Sequence, residues 1–377
     1  MNRKRRGRGE GSIFKRGDGV WCAKLSFGYG QDGKRQTKTL YAESKGAVQE
    51  KLRREQAKGA GALRDSARWT VTKYLTRWLE TVKPTVEPGT WKPYEVHCRL
   101  HIIPAIGSTP LCRLDENHVE ALYAALASKG MSAALQRKVG TTLTIALERQ
   151  VGRLLSYNPA KRVPKPLAVK PEFTVLDPSQ IATLLHEAKD DRFFALYLFL
   201  LDSGARPGEA LALQWSDFDF DAGHVTISKS LEEIAGRHRI KATKTKKSNR
   251  RIALTQRTLA ALQDHRRQAL ADGFIASPVF RNTVGGYVRL HELHTFSFKP
   301  IVKRAGLGKV RLYDLRHSCA TLLLLADTNP KIVSERLGHS SIMLTLDTYS
   351  HVLPSMQQMA ADVMGRLLSP RPAAVNQ

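Results

Sequence analysis

The sequence predicts a multidomain protein: a small β-sheet-plus-helix N-terminal domain, then an all-α helical domain, then a mainly α domain with a small antiparallel β-sheet. Three observations carry this expectation. The chain has 377 residues, more than a single hydrophobic core usually spans. Its apolar pattern alternates near the N-terminus, repeats at helical spacing in the middle, and mixes both periods in the C-terminal half. A small-residue stretch, AKGAGAL from Ala57, and a proline-rich stretch, NPAKRVPKPLAVKPEF, separate these regions. The expected boundaries are 1–60 including a linker, 67–165, 172–368, and a tail over 369–377.

In the first region Val20 to Phe27 and Arg35 to Tyr41 alternate as strands do, with Gly and Asp-Gly turn signals at their ends, and Lys45 to Gln56 reads as a helix. A sheet of about three short strands carrying Lys24, Lys34, Arg35 and Lys38 suits contact with DNA. Gly28, Gly30 and Gly33 match a dinucleotide-binding GxGxxG, and Gly28 to Lys34 matches most of a P-loop. Both readings fail on context: residue 35 is Arg where a P-loop needs Ser or Thr, and a strand follows where a helix N-terminus must hold the phosphate.

From about Trp69 to Lys165, Leu135, Val139, Leu143, Leu147 and Val151 recur every fourth residue, and Val119, Leu122, Tyr123 and Leu126 line a second face, as in a helical bundle. His97 and His101 share a helical spacing but lack an acidic third ligand nearby, so they read as ordinary histidines and not as a metal site. The four prolines between Pro159 and Pro171 predict an extended, basic linker. Beyond it, LDPSQIATLLHEA opens with a helix N-cap, and the helix over Arg192 to Ser203 is apolar on most faces and therefore buried. HVTIS, RIKATKT and RRIALT read as short strands, and helices fill most of the remainder.

Sixty Lys and Arg against 34 Asp and Glu give a formal charge of +26. The net excess is +10 over residues 1–60, +9 over 61–170 and +7 over 171–377, a distribution that suits several modules touching one long polyanion. The basic start at Arg3 to Arg6 lacks the apolar stretch of a signal peptide, and the longest apolar run, Phe193 to Leu201, is far short of a membrane span. Cys22, Cys98, Cys112 and Cys319 form no CxxC pair, which argues against a disulfide framework or a thiolate zinc site and for a reducing cytoplasm.

Five strings carry the chemistry: ARPGE at 205–209, TKTKKSNRR at 243–251, YDLRHS at 313–318, LGHSS at 337–341 and TLDTYSHV at 345–352. Arg206 and Arg316 suit bidentate grip on phosphate oxygens. Lys244, in a turn between strands, suits protonation of a leaving oxygen; His339 suits a bond to phosphate or management of the nucleophile's proton. Tyr349 offers a phenol that nearby cations would make easier to ionise. Lys241, Lys246 and Lys247 crowd the same hairpin as Lys244, and Arg250 and Arg251 read as contacts to backbone phosphate or solvent.

These residues, in this order, with 33 positions from Arg316 to Tyr349 and ten from His339 to Tyr349, resemble the catalytic pattern of the phage-integrase family of tyrosine recombinases. The resemblance covers nearly the whole chain. It implies that Arg206, Lys244, Arg316 and His339 are catalytic, that Tyr349 is the nucleophile, and that Glu209 braces the fold. One position departs from the family: the histidine three residues before the second arginine is Tyr313, a phenol able to donate a hydrogen bond but a poor base at neutral pH. His317 follows Arg316 but is expected to turn away from the site on a helix, and so not to replace that histidine.

The resemblance further implies an arm-type DNA-binding domain near residues 10–55, a SAM-like core-binding domain over 69–165, and a C-terminal catalytic domain. It implies integration and excision of a mobile element or prophage through a 3′-phosphotyrosyl intermediate and a Holliday junction, with no ATP, cofactor or divalent metal. The partners implied are double-stranded DNA at core and arm attachment sites, a homotetramer with contacts from Ser355 to Leu368, and a host DNA-bending protein and excisionase, with no membrane. The bacterial cytoplasm is the implied location. A type IB topoisomerase shares the chemistry, a noncatalytic DNA-binding regulator shares the charge, and a metal-dependent nuclease would need carboxylate clusters that the motifs lack.

Overall fold

A computed structural model describes residues 12–29, 35–53, 69–168, 173–242, 249–274, 278–349 and 355–368. It divides the chain into two compact units, residues 1–170 and 171–377. Among the described residues no helix is long and apolar enough to cross a membrane.

At the start of the first unit Ser12–Lys15, Trp21–Tyr29 and Arg35–Ala42 form an antiparallel sheet in sequence order. Residues 45–53 are helical, and Val48 and Leu52, four apart, bury against Ala23 with Ile13, Trp21 and Leu40 around them. The expected strands are present and the expected helix is described over residues 45–53; the middle of the glycine-rich segment, Lys34, Arg54 to Gln56 and the AKGAGAL stretch lie outside the described residues.

The helices of 69–168 are set by their caps. Thr70, Asp115 and Ser132 each accept a backbone N–H at the start of Val71–Val82, Glu116–Ser128 and Ala133–Glu148. Leu75, Trp78, Leu122, Leu126, Val139, Leu143 and Leu147 make the shared core. Gly140 is where two of these helices approach closely, since a Cβ there would lie 2.0 Å from the Tyr123 hydroxyl. His97 is buried with Nδ1 2.8 Å from Thr142 Oγ1, a packed histidine. The proline-rich stretch holds one short helix that the sequence argued against, Pro159–Arg162. Asn158 caps it, and Pro159 stands at its first position, where a missing N–H costs nothing.

The second unit is built on the apolar helix Phe194–Ser203, whose residues Leu196, Tyr197, Phe199 and Leu200 are wholly shielded. Around it pack Pro178–Ala188, closed by a reciprocal Asp177–Gln180 capping box, and Gln256–Ala271, Lys299–Arg304 and Leu312–Leu325. Phe218–Asp219, His224–Ile227 and Arg250–Ala253 form a three-stranded antiparallel sheet, and Lys229–Ile234 pairs with Arg237–Ala242 in a separate hairpin. Ala235 and Gly236, both at positive φ, turn that hairpin. Pro330–Leu337, Ile342–Tyr349 and Ser355–Leu368 are the last helices among the described residues.

Candidate active site

Two helix ends set the site's frame. Phe194–Ser203 ends at Gly204, left-handed at φ +63°, and Pro330–Leu337 ends at Gly338, φ +65°. Neither tolerates a side chain: a Cβ on Gly204 would lie 2.7 Å from Leu337 Cδ2, and one on Gly338 would lie 2.8 Å from Arg250 Nη1. Just past these ends stand Arg206 and His339. Arg336 fastens the two ends together, donating through Nη2 to the Asp202 carbonyl at 2.8 Å and to Asp202 Oδ1 at 2.9 Å.

Arg206 precedes the one-turn helix Pro207–Ala210 and shares a carboxylate with Arg250. Glu209 Oε1 accepts from Arg206 Nη1 at 2.8 Å, and Oε2 accepts from the Arg206 backbone N–H at 2.9 Å and from Arg250 Nη2 at 2.8 Å. Burial pushes the Glu209 carboxyl up, but the bond and charge of Arg250, followed by Arg206, more than offset it and leave the group below the usual carboxylate range. Arg250 also donates to the Arg336 carbonyl at 2.6 Å. This corrects the expectation that Arg250 faces phosphate or solvent: it is a buried strut, held by pairing across the fold that RRIALT alone does not reveal. Arg251 does lie on the surface, paired with Asp219 at 2.9 Å.

Arg316, on Leu312–Leu325, is 1% exposed. Its Nη1 donates to the Gly204 carbonyl at 2.7 Å, while Nη2 is buried with no hydrogen-bond partner among the described residues. Burial first, then the charge of Arg206, lowers its pKa to about 10, so the guanidinium stays charged at physiological pH. His339 bonds Thr345 Oγ1 through Nδ1 at 2.7 Å. Burial, with Arg316, Arg206 and Arg250 behind it, pushes this imidazole down to about 4, so it is neutral at physiological pH.

Tyr349 closes the Ile342–Tyr349 helix with its ring 1% exposed. Sequence reasoning expected neighbouring cations to ease ionisation of the phenol. Burial instead raises its pKa well above the ordinary tyrosine value, and Arg316 offsets only part of this. Its hydroxyl lies 2.9 Å from His317 Nδ1, so the expectation that His317 turns away from the site is overturned. His317 is rotated about 100° from Arg316 on the helix, but it shares the i, i+4 face with Tyr313, its ring 5.4 Å away, and Tyr349 arrives on that face. The Tyr313–His317 spacing was the available signal. Phe173 stacks on His317 at 4.1 Å between centroids and meets Tyr349 edge-on at 5.9 Å, a contact no motif announces.

Tyr313 is 42% exposed and interacts through its hydroxyl with Arg206. Arg206, Tyr313, Arg316, His339 and Tyr349 therefore converge, whereas Lys244, with Lys246 and Lys247, lies outside the described residues. Lys241 pairs with Glu232 at 2.8 Å. The large concavities of this unit, one lined by Arg192, His265 and Arg281 and another by Lys299 and Lys303, include none of the converging side chains. Among the described residues no cluster of three metal-ligating side chains occurs.

A buried guanidinium with an unused N–H, a second arginine on a shared acid, a neutral imidazole and a phenol thus meet at one point, a donor set suited to an oxyanion. Residues 174–356 match the phage integrase family, and residues 70–127 match the phage integrase N-terminal SAM-like domain. A tyrosine recombinase XerC of Xanthomonas axonopodis pv. citri is 30% identical over 64% of this chain and 74% of its own length. A XerC-like tyrosine recombinase of Caldanaerobacter subterraneus subsp. tengcongensis is 26% identical over 94% of this chain and 98% of its own. The integrase of the Tn1549 transposon, solved in complex with transposon right-end DNA, superposes with a TM-score of 0.67 at 21% identity, covering 80% of this chain and 100% of that one. The chain belongs to the phage integrase family, and it is a site-specific tyrosine recombinase.

Proposed function

We propose that the chain integrates and excises a mobile element by cutting and rejoining DNA through Tyr349. The single observation that carries this reading is Arg316, a buried guanidinium held at one nitrogen by the Gly204 carbonyl and presenting the other without a partner among the described residues, in the company of Arg206 and Tyr349. A phosphate oxygen completes that hydrogen-bond set.

In this reading Arg206, Arg316 and His339 hold the nonbridging oxygens of a scissile phosphate, and Tyr313 adds a donor beside Arg206. Tyr349 Oη attacks phosphorus, forming a 3′-phosphotyrosine and releasing a 5′-hydroxyl, with Lys244 as donor of the leaving oxygen's proton. The 5′-hydroxyl of a partner strand reverses the step, conserving the phosphodiester energy through a Holliday junction. Residues 1–60 serve as the arm-binding module, 67–165 as the core-binding domain, and 172–368 as the catalytic domain, the last supplying the trans contacts of a tetramer from Ser355–Leu368. Directionality in the bacterial cytoplasm then rests on a DNA-bending protein and an excisionase.

The test is covalent trapping on nicked suicide duplexes cut from the DNA flanking the gene, with EDTA present. A protein–DNA band on a denaturing gel, lost in Tyr349→Phe, is the expected result. Adduct formation undiminished in that variant refutes the assignment.

A further inference from the structure

The Tyr349 hydroxyl has one imidazole bonded to it among the described residues, and it belongs to neither of the family's histidine positions. Tyr313 occupies the first of those positions, and His339 at the second turns its Nδ1 to Thr345. The contact comes from His317, 2.9 Å from Oη, on a ring stacked against Phe173. We propose that His317 is a catalytic residue that takes the proton of the Tyr349 phenol as Oη attacks the scissile phosphorus. The proposal rests on Tyr349 being the nucleophile.

The step balances without any other reactant. The Tyr349 O–H bond breaks and its proton passes to His317 Nδ1, the Oη–P bond forms, and the P–O5′ bond breaks. The departing 5′ oxygen receives its proton from a different group, assigned above to Lys244. In rejoining, the imidazolium returns its proton to the phenolate as that oxygen leaves phosphorus. This polarity requires the tautomer with its resting proton on Nε2, leaving the Nδ1 lone pair toward the phenol.

The surroundings keep that lone pair available. Facing His317 are Asp314, Arg316 and Arg311 on and beside its own helix, Tyr313 one turn back, His339 from across the site, and Tyr349 itself. Burial dominates and pushes the imidazole down to about 4; Asp314 works against this, and Arg316 and Arg311 reinforce it. The ring is therefore a neutral acceptor throughout the physiological range. So weak a base takes little of the proton until Oη has begun to bond to phosphorus, so that transfer accompanies attack and does not precede it. That matters for a phenol whose burial makes free ionisation costly.

The experiment is single-turnover adduct formation by the full chain on the suicide duplexes, followed from pH 6 to pH 9. Wild type is expected to give a nearly flat profile. His317→Gln, which still accepts a hydrogen bond but takes no proton, is expected to be slower by about 100-fold at neutral pH and to accelerate about tenfold per pH unit, as hydroxide replaces the lost base. Phe173→Leu loosens the ring without removing the acceptor and should slow the reaction while leaving the profile flat. A 5′-bridging phosphorothiolate, whose leaving group needs no acid, should rescue Lys244→Ala and not His317→Gln. A flat profile in His317→Gln, or its rescue by the phosphorothiolate, overturns the proposal. Adduct persisting in Tyr349→Phe instead removes the nucleophile reading beneath it.

Discussion

Arg250 donates to Glu209 across 2.8 Å, with the two side chains 6% and 4% exposed, so a full ion pair is sealed behind the arginine that faces the site. The other oxygen of the carboxylate aims Arg206. Removing one member of such a pair strands a charge in a medium that solvates it poorly, whereas removing both does not. Glu209→Ala is therefore expected to lower stability by about 3–5 kcal/mol, and the double replacement Glu209→Leu with Arg250→Met by much less. Urea unfolding midpoints of the three proteins decide it. Equal losses in the single and double variants would contradict the account.

Acid should weaken the catalytic unit in two stages. His317 and His339 are held to about 4 in the folded chain against 6.5 as the ordinary value, so the unfolded chain binds protons first as pH falls. Their stabilising contribution is complete above about pH 6.5 and is lost progressively toward pH 4. Glu209, whose folded value lies below its ordinary 4.5, adds a further loss only below that pH. Melting temperatures at pH 7.5, 5.5 and 4 should fall across both intervals, and His317→Asn should flatten the fall.

Tyr313 supplies a hydroxyl at the place where the family carries an imidazole. If it donates to phosphate alongside Arg206, Tyr313→Phe slows adduct formation by about ten- to a hundredfold with DNA affinity little changed. Gel-shift titration beside single-turnover rates separates the two quantities. A matching loss in affinity would assign the residue to binding.

Gly140 permits the close approach of Ala133–Glu148 to Tyr123. Gly140→Ala must displace that ring and is expected to cost about 1–3 kcal/mol. Hydrogen exchange should quicken in Ala133–Glu148 and stay unaltered in Leu312–Leu325. Uniform change across both helices would show that the effect is not local.

Much of this was legible in the sequence because it is locally encoded. Alternation bounded by glycine gave the N-terminal strands, Asp177 announced its helix, and the ordered motifs placed Arg206, Arg316, His339 and Tyr349 in one site. What escaped is what only tertiary packing decides. Lys229–Ile234 lacks clean alternation and gains its strand from the partner Arg237–Ala242. The pairing of Arg250 with Glu209 spans 41 positions, and no local pattern distinguishes a buried arginine from the exposed one beside it. The direction of His317 is set by the helix face it shares with Tyr313, one turn earlier, and not by its chain neighbour Arg316. The acidity of Tyr349 is not legible either, because cations can be counted in a sequence and desolvation cannot.

Arg206, Arg250 and Arg316 gather around the single carboxylate of Glu209. Like charges drawn together in a poorly hydrated space repel, and Glu209 relieves only part of that repulsion at Arg316, whose Nη2 has no hydrogen-bond partner among the described residues. An anion entering there relaxes the tension within the protein as well as forming its own bonds. The folded chain should accordingly tighten around simple oxyanions, its melting temperature climbing with sulfate or vanadate beyond what chloride achieves at equal ionic strength, before any DNA is offered.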